Sequence, residues 1–246
     1  MGCSSSRSDV SNIEFFFERA EMTLGYSELS TSLIDFTTRK YSHEGYINES
    51  QWQSIFIQLH LSLSEPANTS HAKIKTFYQQ FFSDKKYSLQ WLLTLGVLLS
   101  NDADETKSRI LFETFDKENT KEIDKKTLES LLEVVIDIAS EKVKVLIDFQ
   151  ETGYVTEEDY QEYVRMLRLG KEKFKDEQLS ILLMGNNTCT LEGFVDKFRN
   201  NKRTMLLTAS GVRKALKEKG KKIELGLGND SDGKEEISQY TIERKR

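Results

Sequence analysis

Asp148-Phe149-Gln150-Glu151-Thr152-Gly153-Tyr154-Val155-Thr156-Glu157-Glu158-Asp159 is the stretch on which the fold turns. Gly153 stands sixth of twelve, where the chain must bend sharply. Val155 stands eighth, where an apolar side chain can turn inward and its backbone can pair with a neighbouring loop. Apolar residues at helical spacing flank the stretch: Val143 to Ile147 before it and Tyr160 to Leu169 after it. The pattern is a helix, a turn with an apolar centre, and a second helix.

The same twelve-residue frame recurs. Lys40 to Gln51 has Gly45 sixth and Ile47 eighth. Asp116 to Thr127 has Asp116 first, Glu118 third, Thr120 fifth, Ile123 eighth and Asp124 ninth. Phe81 to Leu92 is a shortened copy between two helices. Leu182 to Gly193, with Cys189 eighth and Thr190 ninth, is the weakest. Elsewhere helical periodicity dominates. Ser11 to Tyr26 carries Phe15, Phe16, Arg19 and Met22; Leu29, Leu33 and Phe36 form one stripe, and Trp52, Phe56, Leu59 and Leu63 another. Further helices are read over Ile74–Phe82, Leu89–Leu99, Ile110–Phe115, Leu128–Ile138, Leu179–Leu183, Phe194–Phe198 and Val212–Lys219. Leu92, Leu93, Leu95, Val97, Leu98 and Leu99 are apolar almost all round, which marks a core helix. Pro66 to Ser70 reads as a linker, and the chain beyond Gly220 as disordered.

The Asp148 stretch resembles the EF-hand loop. The resemblance covers Leu29 to Phe198, and the chain is similar to N-myristoylated proteins of the neuronal-calcium-sensor or calcineurin-B type. It implies an all-α fold of helix-loop-helix pairs with short β contacts between paired loops. The implied organisation is a flexible acylated segment (1–10), an N-terminal pair (11–100), a C-terminal pair (101–170), a degenerate fifth unit with a basic helix (171–222) and a disordered tail (223–246). It also implies grooves that take an amphipathic helix from a partner protein.

Calcium takes six to eight oxygens, two of them usually from a glutamate in the twelfth position. No frame here has that glutamate. The Asp148 frame offers Asp148, Gln150, Thr152, the backbone of Tyr154, and Asp159, one methylene too short to chelate readily with both oxygens. The Asp116 frame offers Asp116, Glu118, Thr120, Glu122 and Asp124, but Lys121 stands at the turn and Thr127 is twelfth. The Lys40 frame opens on a cation and ends in Gln51. Such ligand sets predict weak calcium, a magnesium preference, or frames that serve packing alone; packing alone is the preferred reading.

The chain opens Met1-Gly2-Cys3-Ser4-Ser5-Ser6. With Met1 removed, Gly2 is an N-myristoylation candidate with Ser6 at the favoured position, and Cys3 beside it is a palmitoylation candidate. One myristoyl chain binds a membrane marginally and two acyl chains bind it stably. The expectation is a body tethered to the cytoplasmic face of a membrane, plasma or ciliary. The alternative is a calcium-independent structural protein of a cytoskeletal or ciliary assembly. A hydrophobic content of 37% and a charged content of 30% fit a well-exposed globular chain. Two cysteines, Cys3 and Cys189, make no disulfide framework.

The overall charge of -5 is uneven. Lys197 to Lys222 holds ten cations against the single acid Glu218, a net +9, so the remainder carries -14. Lys197, Arg199, Lys202, Arg203, Arg213, Lys214 and Lys217 form a candidate basic patch. It reads as a contact for anionic lipid, as a dock for an acidic protein, or as a solvated helix face. Val212, Ala215 and Leu216 give it a thin apolar seam suited to interfacial docking. No aromatic residues are interleaved, so nucleic acid is not expected. His43, His60 and His71 have no catalytic or metal spacing, and no Gly-rich phosphate loop or nucleophile elbow occurs. The chain is expected not to be an enzyme.

Overall fold

The computed structural model describes residues 11–61, 69–147, 155–199 and 204–227. Among them the chain is mostly helical, with two short antiparallel sheets. Helix α1 (Ser11–Met22) leads to α2 (Thr31–Tyr41), strand β1 (Tyr46–Asn48), α3 (Glu49–Gln58) and α4 (Thr69–Gln79). Strands β2 (Phe82–Ser83) and β3 (Lys86–Ser88) precede α5 (Leu89–Leu99) and α6 (Asp104–Phe115). Then come β4 (Glu122–Asp124), α7 (Lys125–Ser140), α8 (Glu157–Leu183), β5 (Thr188–Thr190), α9 (Leu191–Asp196) and α10 (Ala209–Glu224).

Four of the exiting helices start in the same way. Asn48, Asp124, Thr156 and Thr190 are the ninth residues of four frames, and each caps the helix that follows. The Asn48 side chain accepts from the backbone N–H of Gln51, Asp124's from Thr127, Thr156's from Asp159 and Thr190's from Gly193, always the twelfth residue. A cap satisfies one of the donors that a helix start leaves open, worth about 1 kcal/mol each. At Asn48 and Thr156 the twelfth side chain bonds back to the cap's N–H, completing a capping box.

The apolar loop centres meet in pairs. Ile47 stands opposite Tyr87 in the β1–β3 ladder, and Ile123 opposite Cys189 in the β4–β5 ladder. All four are buried in the common core. Cross-loop bonds close the second pair symmetrically: Lys125 N donates to Asn187 O at 3.0 Å and Leu191 N to Lys121 O at 2.9 Å. The Asp116 frame therefore takes its partner from the Leu182 frame. This differs from the C-terminal pair expected over 101–170. The reason lies in α8, which runs 27 residues without interruption and brings the fifth frame back beside the third. The separate helices expected at Tyr160–Leu169 and Leu179–Leu183 are two stretches of this one element. Val155, eighth in the Asp148 frame, is partly buried against the core outside either sheet.

α5 is core, as its composition implies, with Leu92, Leu93, Leu95, Val97 and Leu98 all buried. Trp52, Phe56, Tyr78 and Tyr87 form one ring cluster, and Phe112, Phe194 and Phe198 form another. Two apolar stripes lie opposite to expectation. On α1 the buried face is Ile13 and Phe17, while Phe15 and Met22 point outward. On α2, Leu33 and Phe36 are exposed, and Ile34, Thr37 and Thr38 face inward. α10 also continues through Gly220 to Glu224, where disorder was expected, because Gly220 is packed against α8 and Arg165 pairs with Glu224.

Glu141, at the end of α7, ties that helix to α8. Its carboxylate accepts from Lys144 Nζ at 2.5 Å and Lys171 Nζ at 2.9 Å. Burial works to raise its pKa, but these bonds and charges prevail and pull it down to about 2. A carboxyl held below its unfolded value of about 4.3 stabilises the fold above that value and loses the contribution as pH falls toward 2. Glu141→Gln is therefore expected to lower stability at pH 7 by about 1 kcal/mol, allowing for solvent screening. Its denaturation midpoints should converge with the parent's between about pH 4.3 and 2; parallel curves over that window would refute this role.

Candidate functional site

Gly2 and Cys3, the first seven residues of the Asp148 frame (including Asp148, Gln150, Thr152 and Tyr154), and Lys202 and Arg203 lie outside the described residues. Asp159 is described, and its carboxylate accepts from Thr156 Oγ1 at 2.7 Å in the capping box.

The Asp116 frame is described in full. Asp116 is buried. Its Oδ1 accepts from Thr120 N at 3.0 Å and from the Thr120 hydroxyl at 3.2 Å, and its Oδ2 accepts from Lys121 N at 2.7 Å. The Thr120 hydroxyl also lies 2.8 Å from the Glu122 carbonyl. Asp124 Oδ1 accepts from Thr127 N at 2.8 Å. Asp116, Thr120, the Glu122 carbonyl and Asp124 are thus engaged within the loop, while Glu118 and the Glu122 side chain face solvent. Asn119 and Lys121 adopt positive φ of 52° and 60°, a conformation that costs a non-glycine residue about 1 kcal/mol or more. The Asp116 hydrogen bonds hold that turn. This donor set, with threonine twelfth, does not fit a calcium centre of six to eight oxygens. Among the described residues no cluster of three or more His, Cys, Asp or Glu is arranged to hold a metal.

Folding takes Arg213 out of the basic window. Arg213 is fully buried, with 0% of its surface exposed. Its Nε donates to Glu14 at 2.9 Å, a terminal nitrogen donates to the same carboxylate at 2.6 Å, and the other to Glu21 and to the Ala139 carbonyl at 3.2 Å. The guanidinium lies 4.7 Å from the centre of the Phe17 ring. Tyr163 donates its hydroxyl to the second oxygen of Glu14. Four helices, α1, α7, α8 and α10, thus meet at one guanidinium. Burial raises the Glu21 pKa, and Arg213 opposes that shift. The expected surface role of Arg213 is corrected: two carboxylates on α1 neutralise it in the interior.

Other members of the window are also engaged. Arg199 bridges Asp196 at 2.7 Å and Glu105 at 3.0 Å. Lys197 reaches the Met184 sulfur, Lys214 lies 3.7 Å from Glu18, and Lys217 sits over the Tyr163 ring. Val212, Ala215 and Leu216 are buried rather than available as an interfacial seam. Cys189 is buried at the loop centre, and burial raises its thiol pKa while Lys197 lowers it.

No protein-family model matches the chain, and no curated protein is significantly similar to it.

Sequence reasoning missed Glu14 and Glu21. Their signal was their register: they lie seven residues apart, with Phe17 between them on the same helix face. A cleft of about 170 Å³ opens beside this network, between Glu21 and Met22 of α1, Leu98 and Leu99 of α5, and Ala209 and Ser210 of α10. No helix among the described residues is long and apolar enough to cross a membrane.

Proposed function

We propose that this chain is an EF-hand-like adaptor, tethered to the cytoplasmic face of a membrane through acyl chains on Gly2 and Cys3, that binds a partner protein. Its helix-loop-helix frames are held by packing rather than by calcium. The supporting observation is the Asp116 frame: its first and ninth carboxylates cap backbone N–H groups of their own loop, while Ile123 is paired and buried against Cys189. A loop built this way keeps two helices together with no ion to neutralise. The tether rests on the Gly2-Cys3-Ser6 opening.

Calorimetric titration of the full chain with calcium is expected to give no saturable heat at micromolar concentrations. A heat that disappears in Asp148→Ala would make the protein a calcium sensor working through that frame. Gly2→Ala is expected to move the protein from the membrane fraction to the soluble fraction of cells. Unchanged partition would remove the tether, and recovery in the detergent-insoluble cytoskeleton would favour a structural role.

A further inference from the structure

We propose that the outer flank of α1 and the adjoining edge of α10 form a face that docks on an anionic lipid bilayer: Phe15, Arg19 and Met22 with Lys214, Lys217 and Lys221. The proposal deepens the tether reading and rests on it for the orientation of the body at the membrane. It differs from the basic patch of the sequence, whose apolar seam is buried and whose Arg213 is internal.

Phe15 is 57% and Met22 63% exposed, although each belongs to a well-formed helix. At about 100° per residue they project to nearly the same side, flanking Glu18 and Arg19. One edge of that side adjoins α10, because Glu18 lies 3.7 Å from Lys214. The two helices run in opposite directions. Met22 borders the same cleft as Ala209, Glu18 meets Lys214, and Tyr163, which bonds Glu14, lies under Lys217. Lys214, Lys217 and Lys221 recur three and four residues apart along the α10 edge nearest this flank. The face therefore sets an exposed aromatic ring and a thioether beside four cations, with Glu18 and Glu218 as its acids.

This is the chemistry of an interfacial helix, with a shallow apolar wedge rimmed by long basic side chains. The proposed acyl tether on Gly2 selects a bilayer as the occupant. Gly2 is nine residues before Ser11, a contour of at most roughly 30 Å, so an acyl chain in a membrane holds α1 within reach of the lipid surface. Anionic headgroups then meet the lysines.

The test uses the full chain, produced with and without an N-myristoyltransferase, and vesicles of phosphatidylcholine with or without phosphatidylserine. The mass of the N-terminal peptide reports acylation independently of binding. The acylated chain is expected to sediment more strongly with phosphatidylserine vesicles. F15S/M22S and K214E/K221E are each expected to weaken that partition about tenfold, with unchanged helical circular dichroism, and the charge variant's deficit should shrink in high salt. An acylated chain whose variants partition like the parent would overturn the face and leave the tether standing. A chain found unacylated, yet bound to phosphatidylserine vesicles and released by both variants, would overturn the tether and leave the face. Equal binding to both vesicle types, or self-association lost in the same variants without vesicle binding, would also overturn the proposal; the latter assigns the face to a second copy of the chain.

Discussion

Arg213→Ala is expected to lower the stability of the whole chain by about 3–5 kcal/mol, the cost of stranding buried charge. A typical domain has only about 5–15 kcal/mol of net stability, so the urea midpoint should fall by about a fifth or more. The cost does not measure what the ion pairs contribute. It arises because Glu14 and Glu21, both nearly inaccessible to solvent, lose the cation to which both are bonded. A companion variant separates the two quantities. E14Q/E21Q/R213M removes the charges together and leaves side chains of similar length. It should lie within about 1–2 kcal/mol of the parent, since replacing a whole buried ionic group is often near neutral. Equal stability of Arg213→Ala and the parent would mean that α1 does not sit over α10 with its carboxylates inward. Amide exchange should show α1 opening first in Arg213→Ala, because Arg213 is where α1 meets α7 and α10.

The turns were readable in the sequence because they are local. Asn48, Asp124, Thr156 and Thr190 each stand where a capping residue must stand, one position after an apolar loop centre. Residue type and spacing within twelve positions suffice to find them. The pairing of the loops was not local. The Leu182 frame looked weakest because it opens on an apolar residue and has Gly193 twelfth, yet β4–β5 pairing uses only backbone groups and the eighth side chains.

α1 shows a second limit. Phe15-Phe16-Phe17 points a ring in nearly every direction, so periodicity could not select the buried one. The choice was made by Arg213, 199 residues from Glu14. Glu14 and Glu21 form part of the inner face with that cation between them. The same burial removed Arg213 from the basic patch, which is why the charge run of the sequence overstates the charge of the surface.

Gly170→Ala should destabilise the protein by about 3 kcal/mol, the upper end of the usual cost of overpacking, although helix propensity alone predicts the opposite sign. Alanine is favoured over glycine by about 1 kcal/mol inside a helix, and Gly170 lies inside α8. A Cβ there would stand 2.0 Å from the Leu216 carbonyl oxygen of α10. The contact is reciprocal, since a Cβ on Gly220 would stand 2.1 Å from the Met166 carbonyl oxygen of α8. Each glycine thus faces the carbonyl one turn before the other, and both obstacles are backbone, which cannot swing aside. Relief requires the two helices to separate, which also disturbs Tyr163 of α8 and Arg213 of α10, both bonded to Glu14 of α1. Gly220→Ala should behave alike. The double variant should cost less than the sum of the two, because the first Cβ already opens the space the second needs. Urea denaturation of the three variants reads both the sign and the coupling. A Gly170→Ala protein more stable than the parent would show that α8 and α10 are not in backbone contact, and the position of α10 against the bundle would have to be redrawn.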